Sequence, residues 1–103
     1  MAGASGSELL LLPFDAALKE IALRAERGIR LENWEGWVRF RDGMRAKSLS
    51  VSGSFALSSD PARAASAATE AIKRAHEKWQ RNPEYPGAEL LIGLSFAETG
   101  RST

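Results

Sequence analysis

The stretch Trp34-Glu35-Gly36-Trp37-Val38-Arg39-Phe40-Arg41-Asp42-Gly43-Met44-Arg45-Ala46-Lys47-Ser48 decides the fold, because it alternates in character on both sides of one Asp-Gly pair. Alternation with a period of two is the mark of a strand with two unlike faces, and Asp-Gly between two such runs marks a hairpin. Read as a two-residue type I′ loop, Asp42-Gly43 joins a strand over 29–41 to a strand over 44–57. That loop sets Arg41 opposite Met44, Phe40 opposite Arg45 and Val38 opposite Lys47. One face then collects Trp34, Val38, Phe40, Leu49, Val51 and Phe55, with Gly36 and Gly53 among them. The other collects Glu35, Trp37, Arg39 and Arg41, with Ser48, Ser50, Ser52 and Ser54 in a row beside them. The apolar face is the expected core face.

Working outward from the hairpin, each flank carries a helix. On the N-terminal side Pro13 and Asp15 open a helix that runs to about Arg27, with Gly28 as its stop. Phe14, Ala17, Leu18, Ile21, Ala22 and Ala25 share one arc of it, and Leu23 lies among the charges opposite. On the C-terminal side Ser59-Asp60-Pro61 offers a cap and a proline for the first turn. Ala64, Ala65, Ala68, Ala71, Ile72, Ala75 and Trp79 form a continuous stripe, opposite Arg63, Ser66, Glu70, Lys73, Arg74, Glu77 and Lys78. Asn82-Pro83 ends that helix and Tyr85-Pro86-Gly87 turns the chain.

Outside the helices lie two more strands. Leu9-Leu10-Leu11-Leu12 is a short apolar run closed by Pro13, which suits a strand buried on both faces; a start of the first helix is the other reading. Ala88 to Glu98 alternates Leu90, Ile92, Leu94 and Phe96 with Glu89, Leu91, Gly93 and Ser95. Residues 1–7 and 99–103 are small and polar, and read as tails. The element order is therefore β-α-β-β-α-β. With one apolar stripe per helix and one apolar face on the hairpin, the expected fold is an α+β ferredoxin-like sandwich. In it both helices cover a single side of an antiparallel sheet whose first and third strands are central. The alternative start for the first helix leaves a three-stranded α+β sheet.

Several users of that layout carry signatures that can be checked. Acylphosphatases need a glycine-rich phosphate cradle with an arginine, and Leu12-Pro13-Phe14-Asp15 offers neither. Metal chaperones need a Cys-x-x-Cys pair, and the chain has no cysteine. RNA-recognition motifs need exposed aromatics on the two central strands, where this chain has leucines and serines. No Gly-x-Ser-x-Gly elbow, forced carboxylate pair or metal-ligand spacing is present, and the lone His76 sits at the edge of a helical stripe. The expectation is a non-catalytic chain that needs no cofactor and no metal.

Lys and Arg number 14 against 13 Asp and Glu, so the overall charge of +1 selects no partner. Lack of cysteine is compatible with a reducing compartment, and Leu9–Leu12 is too short for a signal or a membrane span. The default expectation is a soluble cytoplasmic protein. Two surfaces remain as candidates. The open sheet face, with Trp37, Ser48, Ser50, Ser52 and Leu91, suits a protein partner or a second copy of the chain, in the manner of a small accessory or inhibitor protein such as phages and mobile elements encode. The hairpin tip, with Arg39, Arg41, Arg45 and Lys47 near Trp37, suits nucleic acid.

Overall fold

The computed structural model describes residues 9–52 and 60–97, the side chains of 49–52 excepted. Its elements are β1 (Leu9–Pro13), α1 (Phe14–Glu26), β2 (Leu31–Arg39), β3 (Arg45–Ser52), α2 (Pro61–Arg81) and β4 (Glu89–Phe96). The four strands form one antiparallel sheet, and the two helices pack on one side of it. This is an α+β fold whose element order, β-α-β-β-α-β, is that of the ferredoxin-like layout, and Leu9–Leu12 belongs to a strand rather than to the first helix. Both expected tails, and Gly53, Ser54, Phe55 and Leu57 of the expected second hairpin strand, lie outside the described residues.

Strand order departs from the expectation. The sheet runs β1-β4-β2-β3, so the second and fourth strands are central and the first and third are edges. The physical reason is in the side chains. From Leu90 to Leu94 every residue of β4 is buried, on both faces of the sheet, and only a central strand is covered on both sides. β3 carries Arg45 and Lys47 in exposed positions, and charged residues belong at an edge, where they discourage pairing with other chains.

The hairpin is tighter in its hydrogen bonds and longer in its loop than a type I′ turn. Gly43 N–H donates to Phe40 C=O at 2.9 Å, and Phe40 N–H donates to Met44 C=O at 2.8 Å. Met44 N–H donates to Asp42 Oδ1 at 3.0 Å, and Gly43 has φ +93°. That is a three-residue loop, Arg41-Asp42-Gly43, closed by a left-handed glycine and an aspartate that caps its own turn. The register therefore shifts by one residue. Trp37 faces Lys47, Val38 faces Ala46 and Arg39 faces Arg45. Since residues directly opposite share a face, Arg45 and Lys47 move to the side of Arg39 and Trp37. Further along, the pairing jumps again, and Glu35 meets Ser52.

Helix boundaries follow local chemistry closely. α1 stops in a Schellman arrangement: Gly28 N–H donates to Ala25 C=O and Ile29 N–H to Arg24 C=O, both at 2.9 Å, with Gly28 at φ +78°. α2 starts with Asp60 as its cap, accepting from Arg63 N–H at 3.2 Å, and with Pro61 in the first turn, where no N–H is needed. The core lies between helices and sheet. Ala17 and Ile21 of α1, and Ala68, Ile72 and Trp79 of α2, meet Trp34, Val38, Leu90, Ile92, Leu94 and Phe96. Alanines along α2 let that helix approach the sheet closely, and Trp79 fills the space at its end.

Where α2 ends, the connection to β4 takes over the cover of the hairpin. Phe40 meets Tyr85 edge to face with ring centres 5.1 Å apart, and Ser48 Oγ donates to Glu84 Oε1 at 2.7 Å. Between the two helices, Phe14 stacks on His76 with ring centres 3.8 Å apart and 7° between the planes.

Trp79 is 8 % exposed, so Trp79→Ala should lower the unfolding free energy by about 3–5 kcal/mol in a denaturant titration. Trp34 behaves differently, because its buried indole N–H has no partner. Trp34→Phe removes an unpaired donor along with some apolar area, and its cost should stay within about 1.5 kcal/mol by the same measurement.

Candidate interaction surface

The helix-free side of the sheet is built from alternate residues of three strands. β2 presents Asn33, Glu35, Trp37 and Arg39, β4 presents Glu89, Leu91, Gly93 and Ser95, and β1 presents Leu9 and Leu11. At its centre stands Gly93, paired with Leu11 on one side and Glu35 on the other. A Cβ at Gly93 would lie 3.1 Å from side-chain carbons of Leu9, Leu11 and Trp37 alike. Two leucines and a tryptophan thus close over one glycine. Leu91, opposite Trp37, is 3 % exposed even though neither described helix covers it, so it forms the floor of this apolar patch. Leu9 at 41 % is its most open member.

Charge frames the patch in pairs. Glu35 accepts from the Trp37 indole N–H at 3.0 Å with one oxygen and lies 3.1 Å from Lys47 Nζ with the other. One carboxylate thereby fixes the ring of Trp37 and neutralises the cation opposite it. Arg39 forms an ion pair with Glu89 across the β2–β4 ladder. The pairs are exposed enough that each contributes at most about 1 kcal/mol. Arg41 packs over Gly87, and among the described residues neither Arg41 nor Arg45 has an ion-pair partner.

Trp37 and Leu91 stand on the open face as read from the sequence. Ser48 does not. With the shifted register it lies on the helix side, 4 % exposed, donating to Glu84. It cannot reach a partner on the opposite side of the sheet. The side chains of Ser50 and Ser52 lie outside what the structure describes. Of the basic group, Arg45 and Lys47 join Arg39 on the open side, whereas the two-residue turn would have put them on the core side. Leu9, Leu11, Glu35, Gly93 and Glu89 complete the surface. Their signal was the same alternation that places Trp37, and what alternation could not show is that Gly93 lies beneath three side chains.

A second concavity lies at one end of the sandwich, an open groove of ≈ 750 Å³ lined by Pro13, Phe14, Asp15, His76, Trp79 and Glu89 among others. His76 Nδ1 is buried there without a hydrogen-bond partner. Asp15 and Glu89 share the groove but neither bonds the imidazole, so the geometry couples no acid to a base. No group of three or more metal-binding side chains occurs among the described residues, and no helix among them is long and apolar enough to cross a membrane.

The corrected register makes a distinction between Ser48 as a structural and as a contact residue. Ser48→Ala should cost about 1 kcal/mol of stability, because a part-buried carboxylate loses a donor. It should leave any binding through the Trp37 face unchanged, as checked by thermal melts beside a binding titration. No family model, curated protein or solved structure matches this chain.

Proposed function

We propose that this chain is a non-catalytic protein-interaction module that docks its partner through the helix-free face of the sheet. The observation that carries the reading is the apolar patch of Leu9, Leu11, Trp37 and Leu91 gathered around Gly93 on the side that neither described helix covers. An ordered tryptophan at the middle of a flat surface is the kind of anchor that dominates protein interfaces, since it buries a large area and loses little side-chain freedom. Glu35 holds the Trp37 ring in place in advance, which reduces the ordering cost on binding. The surrounding ion pairs leave the rim nearly neutral, suited to a partner of mixed charge.

One observation favours a second reading, binding of nucleic acid. The shifted register gathers Arg39, Arg45 and Lys47 on the side of Trp37, and cations beside an aromatic can hold a backbone and stack a base. Against it, Glu35 and Glu89 sit in the same surface, each engaging one of those cations, and both would repel phosphate. Of the four tip cations, Arg41 and Arg45 alone lack an ion-pair partner among the described residues, which is why the protein-partner reading is preferred.

Affinity capture from the native host, with and without nuclease, separates the two. The expected result is a protein partner retained through nuclease and high salt. It is lost with Trp37→Asp and kept with an Arg41→Ala/Arg45→Ala double variant. A nuclease-sensitive capture, weakening steeply with salt and lost with the double arginine variant, would overturn the protein-partner reading.

A further inference from the structure

The groove at one end of the sandwich shares no member of the Trp37 patch, and every residue that lines it lies within the described part of the chain. At ≈ 750 Å³ it falls in the range of small-molecule sites, which run from about 300 to 1,000 Å³. Three elements hold it. Phe14 and Asp15 come from the first turn of α1, His76 and Trp79 from the last turns of α2, and Glu89 and Leu90 from the start of β4. The stack of Phe14 on His76 ties one helix to the other at the lining, so both rings stand in place before anything binds. Trp79 and Leu90 join the lining from the core.

We infer that this groove is a binding site for a small organic cation, an amine carried on an aromatic body. Its lining supplies the two things that such a ligand needs. Phe14, His76 and Trp79 bound it with rings, and aromatic rings attract flat apolar bodies and positive charge alike. The carboxylates of Asp15 and Glu89 set its sign, since no lysine or arginine is on its lining. Glu89 is already balanced by Arg39, which lies outside the lining. Asp15 is exposed and has no ion-pair partner among the described residues, so it carries the charge that a ligand would neutralise. An anion is disfavoured by the same residues. The N-terminal end of α1 would attract one, but Asp15 in its first turn already fills that role.

The inference does not depend on the protein-interaction reading, so the two can fail separately. The test is an NMR titration with three probes built on one ring system: tryptamine as the cation, tryptophol as the neutral form and indole-3-acetate as the anion. With tryptamine, the amides of Asp15, His76, Ala88 and Leu90 should shift saturably, with a dissociation constant on the order of 1 mM for a ligand of that size. Tryptophol should bind about fivefold more weakly, the worth of one partly exposed charge pair, and indole-3-acetate more weakly still. Asp15→Asn keeps the shape of an exposed side chain, so the spectrum of the folded protein should be retained. In that variant the preference for tryptamine over tryptophol should fall to within about twofold. Equal binding of the three probes overturns the inference, as does a preference for tryptamine that survives Asp15→Asn. Shifts confined to the Trp37 face also overturn it, and so does the absence of any saturable shift at the groove.

Discussion

Everything in this fold depends on β4 entering between β1 and β2. Among the described residues β1 pairs with no other strand, and the β2–β3 hairpin meets the rest of the sheet only through β2 against β4. A hairpin alone is at best marginally stable in water, so the sheet becomes a structure only when β4 arrives. That strand is also the one buried on both faces. Leu90, Ile92 and Leu94 pack beneath the helices, while Leu91 and Gly93 lie under Trp37, Leu9 and Leu11 on the other side. One strand therefore carries both the core and the floor of the candidate surface, and a change that loosens β4 reaches both together.

The helices and their ends are legible in the sequence because each signal there is local. Pro13, Gly28, Asp60 and Pro61 act through the backbone conformation of their own position, and the alanine stripe of α2 needs only a period of 3.6 to be seen. Strand order is harder, because it depends on which apolar runs are covered twice. Leu9–Leu12 and Leu90–Leu94 look alike in composition, and composition does not tell which is covered twice. In the fold β1 is at most half-buried, whereas Leu90–Leu94 is buried throughout. The cations of β3 give the same answer from the other edge.

The hairpin shows how a correct turn signal can carry the wrong register. Asp-Gly suits a two-residue loop and equally the last two positions of a three-residue loop, since both place the glycine at positive φ. The choice falls to Asp42, whose carboxylate accepts from Met44 N–H and so holds the longer loop. The serine row on β3 favours the other register when read as an uninterrupted outer face. It is not uninterrupted, since the ladder jumps between Trp37–Lys47 and Glu35–Ser52, and alternation on one side of the jump says nothing about the other. Ser48 was therefore assigned to the wrong face, while Trp37 and Leu91, placed by β2 and β4 without reference to the turn, were assigned correctly.

That one-residue shift also sets the charge of the open face. It gathers Arg45 and Lys47 beside Arg39, which alone would make a basic surface. β2 and β4 contribute Glu35 and Glu89 to the same side, and each carboxylate lies against one of those cations. The pairs add little stability, yet they remove most of the long-range attraction that a polyanion would need. What is left unbalanced at the centre is apolar area around a tryptophan whose indole N–H already has its acceptor. On the proposed protein-partner reading, such a surface gains little from a charged ligand and most from a flat partner able to cover Trp37, Leu9 and Leu11 at once.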